Sequence, residues 1–253
     1  KVINLNKNIA NSPIINDNTP YGWVTYGKDN LYPTHLLELY HNSIIHAACI
    51  EFITNAIIGE GVDYEAMKLT DQVPNYMETW DEMLYKIAKD LVLFNGYAIQ
   101  IIKNRNDKTY SFFHVPFSTV RFAKKDENNE VKKAFICKDW SNTIVNKPIE
   151  IDVLNYTDDI KVQMGKPYLL VYTDYNVFDD YYPSPHYVQA IDAIRTDIEM
   201  KNYDLNLGFL SGNPYPKGNR EWMVNHAKTM YHEMSKETGE FIGDCGMTIQ
   251  NID

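Results

Sequence analysis

The sequence predicts an α+β fold, with helices packed on an antiparallel meander and then one long helix. Three observations carry this expectation. Apolar residues recur at helical spacing in the blocks 36–58 and 80–91. Short strand-like runs separated by polar turns fill residues 97–172. Pro183 and Pro185 then punctuate a boundary, and a further helical pattern runs from His186 to about Leu210.

Residues 1–25 are rich in Asn, Pro and Ile without helical period, which predicts an extended arm with strand pieces at Val2-Ile3 and Trp23-Val24-Thr25. The stretch Tyr26-Gly27-Lys28-Asp29-Asn30-Leu31-Tyr32-Pro33 is rich in turn residues. Asp29 or Asn30 suits the N-cap of the next helix, and Pro33 suits its first turn. Asn42-Ser43 interrupts that helix, and Ser43 is placed to cap a second. There Ile45, Cys49, Phe52, Ile53 and Ala56 share one face, widened by Ile44, Ala48 and Ile57, so this face is expected to be buried. Gly59 is placed to end the helix with positive φ, and Gly59-Glu60-Gly61 leads into a loop containing Pro74.

Thr79 caps the next helix, whose stripe is Trp80, Met83, Leu84, Ile87, Ala88 and Leu91, and Asn95-Gly96 closes it. Strands are expected over residues 97–102 and 110–115, at Val120-Arg121-Phe122, and over 131–137, 149–153 and 168–172. On the long helix, Tyr187, Ile191, Ile194, Ile198 and Leu205 share a face until Gly212-Asn213-Pro214 ends it. A shorter helix, about 220–236, carries Trp222, Ala227, Met230 and Met234, and a last strand follows the loop 239–246.

Composition bounds the function. The chain has 253 residues, 44% hydrophobic and 23% charged, enough for one large or two small globular domains. Nineteen Tyr and ten Phe favour broad amphipathic surfaces such as subunit contacts. The net charge of −10, with no basic run longer than Lys124-Lys125 or Lys132-Lys133, argues against tight DNA binding, which draws its strength from phosphate neutralisation. Cys49, Cys137 and Cys245 have no metal or disulfide spacing and fit a reducing compartment. No apolar run is long enough to span a membrane, and the first ten residues lack the apolar core of a signal peptide. The chain starts without Met and stops just after Met247-Thr248-Ile249, which reads as a fragment of a longer protein.

Catalytic signatures are thin, and no cofactor or metal is expected. No phosphate-binding glycine loop or zinc helix motif occurs, and His226 lies six residues before His232, the wrong separation for one helix face. Gly243-Asp244-Cys245-Gly246 has no local base to activate its thiol. His46 and His114 lie in apolar runs and read as core or interface histidines. The pairs Asp81-Glu82, Asp158-Asp159 and Asp179-Asp180 do not each converge on one point, because neighbouring side chains diverge. The long helix carries Arg195, Asp197, Glu199 and Lys201, with Arg195/Glu199 and Asp197/Lys201 at i,i+4 spacing. They are candidates for a subunit-contact face.

Several landmarks, in this order, resemble the portal proteins of tailed bacteriophages. They are the Gly-x-Asp-Asn-x-Tyr-Pro entry at residues 27–33, Ile-Gly-x-Gly at 58–61 and Asn-Gly-Tyr-Ala at 95–98. Val115-Pro116 and Val120-Arg121 come next, then Tyr-Tyr-x-x-Pro-x-Tyr at 181–187 and Gly-Asn-Pro at 212–214. Pro183-Ser184 stands where portals often carry a Gly. The resemblance implies a wing domain over 1–185, a stem helix over 186–212 and the start of a clip over 213–253. It implies a non-enzymatic ring, typically of twelve subunits, at a capsid vertex of the virion, assembled in the host cytoplasm. Such a ring passes double-stranded DNA without gripping it and contacts terminase, capsid and tail connector, with no membrane involved. Two alternatives remain open on the residues: a metal-dependent hydrolase or nucleotidyltransferase with carboxylates converging from Asp81, Asp158 and Asp180, and a protein-binding adaptor that forms no ring.

Overall fold

The computed structural model describes residues 13, 15–17, 19–69, 72–105, 109–154, 163–176 and 179–212, with side chains up to residue 202. Two compact units divide the chain, residues 1–198 and 199–253. In the second, residues 199–212 are helical, and the expected helix 220–236, loop 239–246, last strand, His226, His232 and Cys245 lie outside the described residues.

The first unit begins with β1 (Ile15–Asn16) paired antiparallel to β2 (Thr25–Tyr26). Two helices follow, α1 (Tyr32–Asn42) and α2 (Ile44–Ile58), and after a loop comes α3 (Trp80–Phe94). Six strands form the main sheet: β3 (Gly96–Lys103), β4 (Tyr110–Val115), β5 (Val120–Phe122), β6 (Lys133–Ile136), β7 (Ile149–Leu154) and β8 (Pro167–Thr173). A 3₁₀ turn, Val188–Ala190, leads into α4 (Ile191–Gly212). The α+β expectation holds. The sheet runs β4-β3-β8-β7-β6-β5 and is antiparallel except between β7 and β8. The meander therefore covers β5 to β7, and β8 returns to sit between β7 and β3.

The helix ends follow local chemistry. Ser43 Oγ accepts from His46 N at 3.1 Å. Thr79 and Glu82 form a capping box, Gly59 ends α2 at φ 57°, and Asn95 ends α3 in the left-handed region. The Asp29/Asn30 cap is corrected. Leu31 occupies the N-cap of α1 without a side-chain bond, and Pro33 lies in the first turn as expected. Asn30 is left-handed at φ 65°, and its side chain turns inward instead. Gly27 (φ 91°) precedes it where a Cβ would lie 2.8 Å from Tyr32 Cβ, so this turn requires glycine.

Both sheet edges are covered. The loop before α3 caps β4: Phe112 N donates to Pro74 O at 2.8 Å and Asn75 Nδ2 to Phe112 O at 2.6 Å. Asp81 anchors the same loop by accepting from Val62 N and the Tyr64 hydroxyl. On the other edge, Val24 N donates to Phe122 O at 2.8 Å. The core joins both layers through Leu36, Ile50, Leu93, Phe94, Phe117, Val120, Leu169, Tyr182 and Ile191.

The expected burial of the apolar stripe of α2 is overturned. Its inward face is His46, Ile50 and Thr54 at spacing of four, with the Ser43 cap also buried. The Thr54 hydroxyl is satisfied by Ile50 O at 2.7 Å. Outward stand Ile44 (70% exposed), Ile45 (65%), Phe52 (75%), Ile53 (46%) and Ile57 (48%), with Cys49. A helix apolar on nearly every side has no phase that spacing can fix. Its rotation is set by where its few polar groups find partners.

Glu51 is the one acidic residue of α2 and is turned onto α3. It pairs with Lys89 and accepts from the Tyr40 hydroxyl at 2.5 Å and the Tyr85 hydroxyl at 3.0 Å. The Lys89 bond, then that of Tyr40, outweighs desolvation and holds its pKa at about 2 against an ordinary 4.5. A depressed carboxyl pKa stabilises the fold above the unfolded value and loses that contribution as pH falls toward the folded one. Glu51→Gln should therefore cost about 0.5–1 kcal/mol at pH 7, a modest figure because solvent screens a side chain 38% exposed. In thermal melts the gap between wild type and variant should close between about pH 5 and 2.

Candidate interaction surface

Several of the sequence landmarks, residues 27–33, 120–121 and 181–187, lie near one buried cation. Arg121 on β5 has no exposed surface. Its Nε donates to Asn30 Oδ1 and its Nη2 to Asn30 O, both at 2.7 Å, and its Nη1 donates to Val120 O and Ser118 O at 2.8 and 2.9 Å. Asn30 Oδ1 also accepts from Tyr26 N at 3.0 Å. The guanidinium lies over the rings of Trp140 (4.9 Å) and Tyr26 (5.6 Å). Burial pushes its pKa down to about 10, so it remains charged at neutral pH.

Tyr182 completes this joint. It stacks on Tyr26 at 4.1 Å and on Phe122 at 5.1 Å, and its hydroxyl donates to Val24 O at 2.7 Å while accepting from Phe122 N. The Tyr26 hydroxyl donates to Pro183 O at 2.7 Å. Nearby, Asn95 Nδ2 reaches Ser184 O at 3.2 Å and the Tyr187 hydroxyl reaches Leu93 O at 2.8 Å. Residues 27–33, 95–98, 120–121 and 181–187 are thus parts of one structural joint that aims α1, α2 and the start of α4.

From that joint the molecule presents two surfaces. The first is the outward apolar face of α2. It continues into a groove of about 320 Å³ between α2 and the C-terminal end of α3, closed by Tyr172, Asp174, His186 and Tyr187. His46 lines this groove. It is 6% exposed, packs edge-on against Tyr187 at 4.5 Å, and its Nε2 has no hydrogen-bond partner among the described residues. Burial lowers its pKa, which keeps the ring neutral at physiological pH.

The second is the charged start of α4, residues 191–198. Arg195 reaches back to Asp192 at 3.3 Å, both exposed. Asp197, partly buried, accepts from Ser43 Oγ at 2.5 Å, tying the cap of α2 to α4. In the second unit, Glu199 is exposed and Lys201 partly buried. Ser43→Ala removes a cap and a partner of Asp197 together, so it should cost about 1–2 kcal/mol in chemical denaturation.

Sequence spacing brings out the charged quartet but not the exposed α2 face or the role of Asn30 and Arg121. Of the carboxylates, Asp81 is occupied by Val62 and Tyr64, Asp180 lies 4.0 Å from Lys125, and Asp158 lies outside the described residues. Among the described residues no three His, Cys, Asp or Glu side chains are grouped to hold a metal, and no helix is long and apolar enough to cross a membrane. His114 Nε2 donates to Asp90 Oδ2 at 2.8 Å, as a core histidine.

No family model matches the chain, and no curated protein matches it. Solved structures do. A chain of the virion of a native gene transfer agent particle matches at TM-score 0.54 and 9% identity, over 73% of this chain and 46% of that one. A chain from the neck of an empty gene transfer agent particle, computed with C6 symmetry, gives the same score and identity over 73% and 48%. A chain from the neck of the native particle, computed with C12 symmetry, matches at 0.54 and 9% over 85% and 58%. The chain shares the fold of these particle components. It spans about half the length of the chains it matches.

Proposed function

We propose that this chain is a structural portal subunit of a phage-like particle. The observation that carries the reading is the fold shared with gene transfer agent neck and virion chains over 73–85% of the chain. Four of the ordered landmarks, residues 27–33, 95–98, 120–121 and 181–187, support it, because they form the joint that positions the helices. In this reading residues 1–185 are a wing, 186–212 a stem helix and 213–253 the start of a clip. Copies form a ring at one capsid vertex of the virion, assembled in the host cytoplasm. Double-stranded DNA enters and leaves through the ring, which also docks terminase, contacts capsid and attaches the tail connector.

Chemistry is consistent with a conduit. A chain of net charge −10 offers DNA little phosphate neutralisation, so a passing duplex is not held. Arg195, Asp197, Glu199 and Lys201 are assigned to contacts between copies, with Asp197 held in place by Ser43. Mass photometry of the full-length protein tests the reading. The expected species is a closed ring near the twelvefold symmetry computed for one of the neck structures. A stable monomer under all conditions would favour an adaptor instead. Tight Mg²⁺ or Mn²⁺ binding with turnover of a substrate would contradict the non-enzymatic assignment.

A further inference from the structure

We infer that the outward face of α2 is where one copy packs against the next, an assignment that rests on the ring reading. Five large apolar side chains, Ile44, Ile45, Phe52, Ile53 and Ile57, stand 46–75% exposed on this one helix. Together they present on the order of 500 Å² of apolar surface, at the upper end of the largest patch on an ordinary monomer. A standard-size interface takes roughly 800 Å² from each partner, so this helix supplies the greater part of one side.

Charge selects the occupant. Identical copies each carry −10, and like charges facing one another across a contact cost several kcal/mol. Copies therefore meet most easily where the surface carries no unbalanced like charge. α2 comes near that condition: its one acidic residue, Glu51, is turned onto Lys89, Tyr40 and Tyr85, and its charge is offset by that of Lys89. A lipid surface is a poor fit, because a helix lying on a membrane carries Lys and Arg along its flank and α2 has neither. The groove beside the face gives a second sign of an absent partner. The His46 ring is nearly buried and its Nε2 has no hydrogen-bond partner among the described residues, an arrangement that costs stability unless a neighbouring group completes it.

Cys49 lies on this face and is exposed, whereas Cys137 is buried, so the thiol is a built-in reporter. The test uses the full-length protein carrying Cys245→Ser, with and without Phe52→Asp/Ile53→Asp. Mass photometry reads the assembly and maleimide labelling reads Cys49. In the assembled protein Cys49 should label about tenfold or more slowly than in the double variant, because thiol reactivity follows access. The double variant should be monomeric with an unchanged circular dichroism spectrum, since both side chains already face water. Equal labelling of Cys49 in a wild-type ring, or a ring that survives both substitutions, overturns the α2 assignment and leaves the portal reading standing. A protein that never assembles removes both.

Discussion

Arg121→Ala is expected to destabilise the first unit by about 3–5 kcal/mol, measured as a shift in urea midpoint at constant m. Two losses combine. The buried side chain leaves a cavity beside Tyr26 and Trp140, and the carbonyls of Asn30, Ser118 and Val120 lose their donor. Arg121→Met separates them, because it retains most of the volume and none of the donors, and it should cost about 2–3 kcal/mol. Arg121→Lys should not rescue, since a single ammonium cannot span acceptors placed for a guanidinium fork. Asn30→Ala should be non-additive with Arg121→Ala, as the two side chains share the bond from Nε to Oδ1. Additive costs, or a loss under about 1 kcal/mol for Arg121→Ala, would show that the joint does not hold the fold.

Asp90→Ala is expected to cost about 2–4 kcal/mol. Asp90 is a buried carboxylate on α3 whose Oδ2 meets both His114 Nε2 and Phe117 N at 2.8 Å. It joins the helix layer to the end of β4 and the turn beyond it. Truncation leaves a buried backbone N–H and a nearly buried imidazole without an acceptor. Asp90→Asn keeps one carbonyl oxygen and should lose about half as much. Equal melting temperatures for the Ala and Asn variants would mean that the carboxylate contributes through packing alone.

Local chemistry was readable from the residues at most helix ends, the exception being α1, where Arg121 and Tyr26 draw the Asn30 side chain away from the cap. Ser43, Thr79, Gly59 and Asn95 mark helix ends because a cap needs only its own neighbours. The strands of the sheet follow from short runs between turns. What escaped was decided over long separations. The alternation Val120-Arg121-Phe122 would put Arg121 on the solvent side of a two-faced strand, yet all three are buried because residues 26–30 and 182 cover the edge. Asp197 spends its hydrogen bond on Ser43, 154 residues away, which no helical spacing reports. The parallel pairing of β7 and β8 depends on which strand returns beside β3. The rotation of α2 was hidden for another reason: uniform apolarity carries no phase.

That rotation gives the sharpest view of what the molecule does. A monomer that buried Phe52 and Ile53 would need no neighbour, whereas this one leaves them at the surface beside a His46 whose Nε2 has no hydrogen-bond partner among the described residues. The direct measurement is a cryo-EM reconstruction of the assembled full-length protein. The account predicts a closed ring with α2 between adjacent copies and Phe52 covered. A closed ring with Phe52 facing solvent, or a protein that forms no ring, would contradict it.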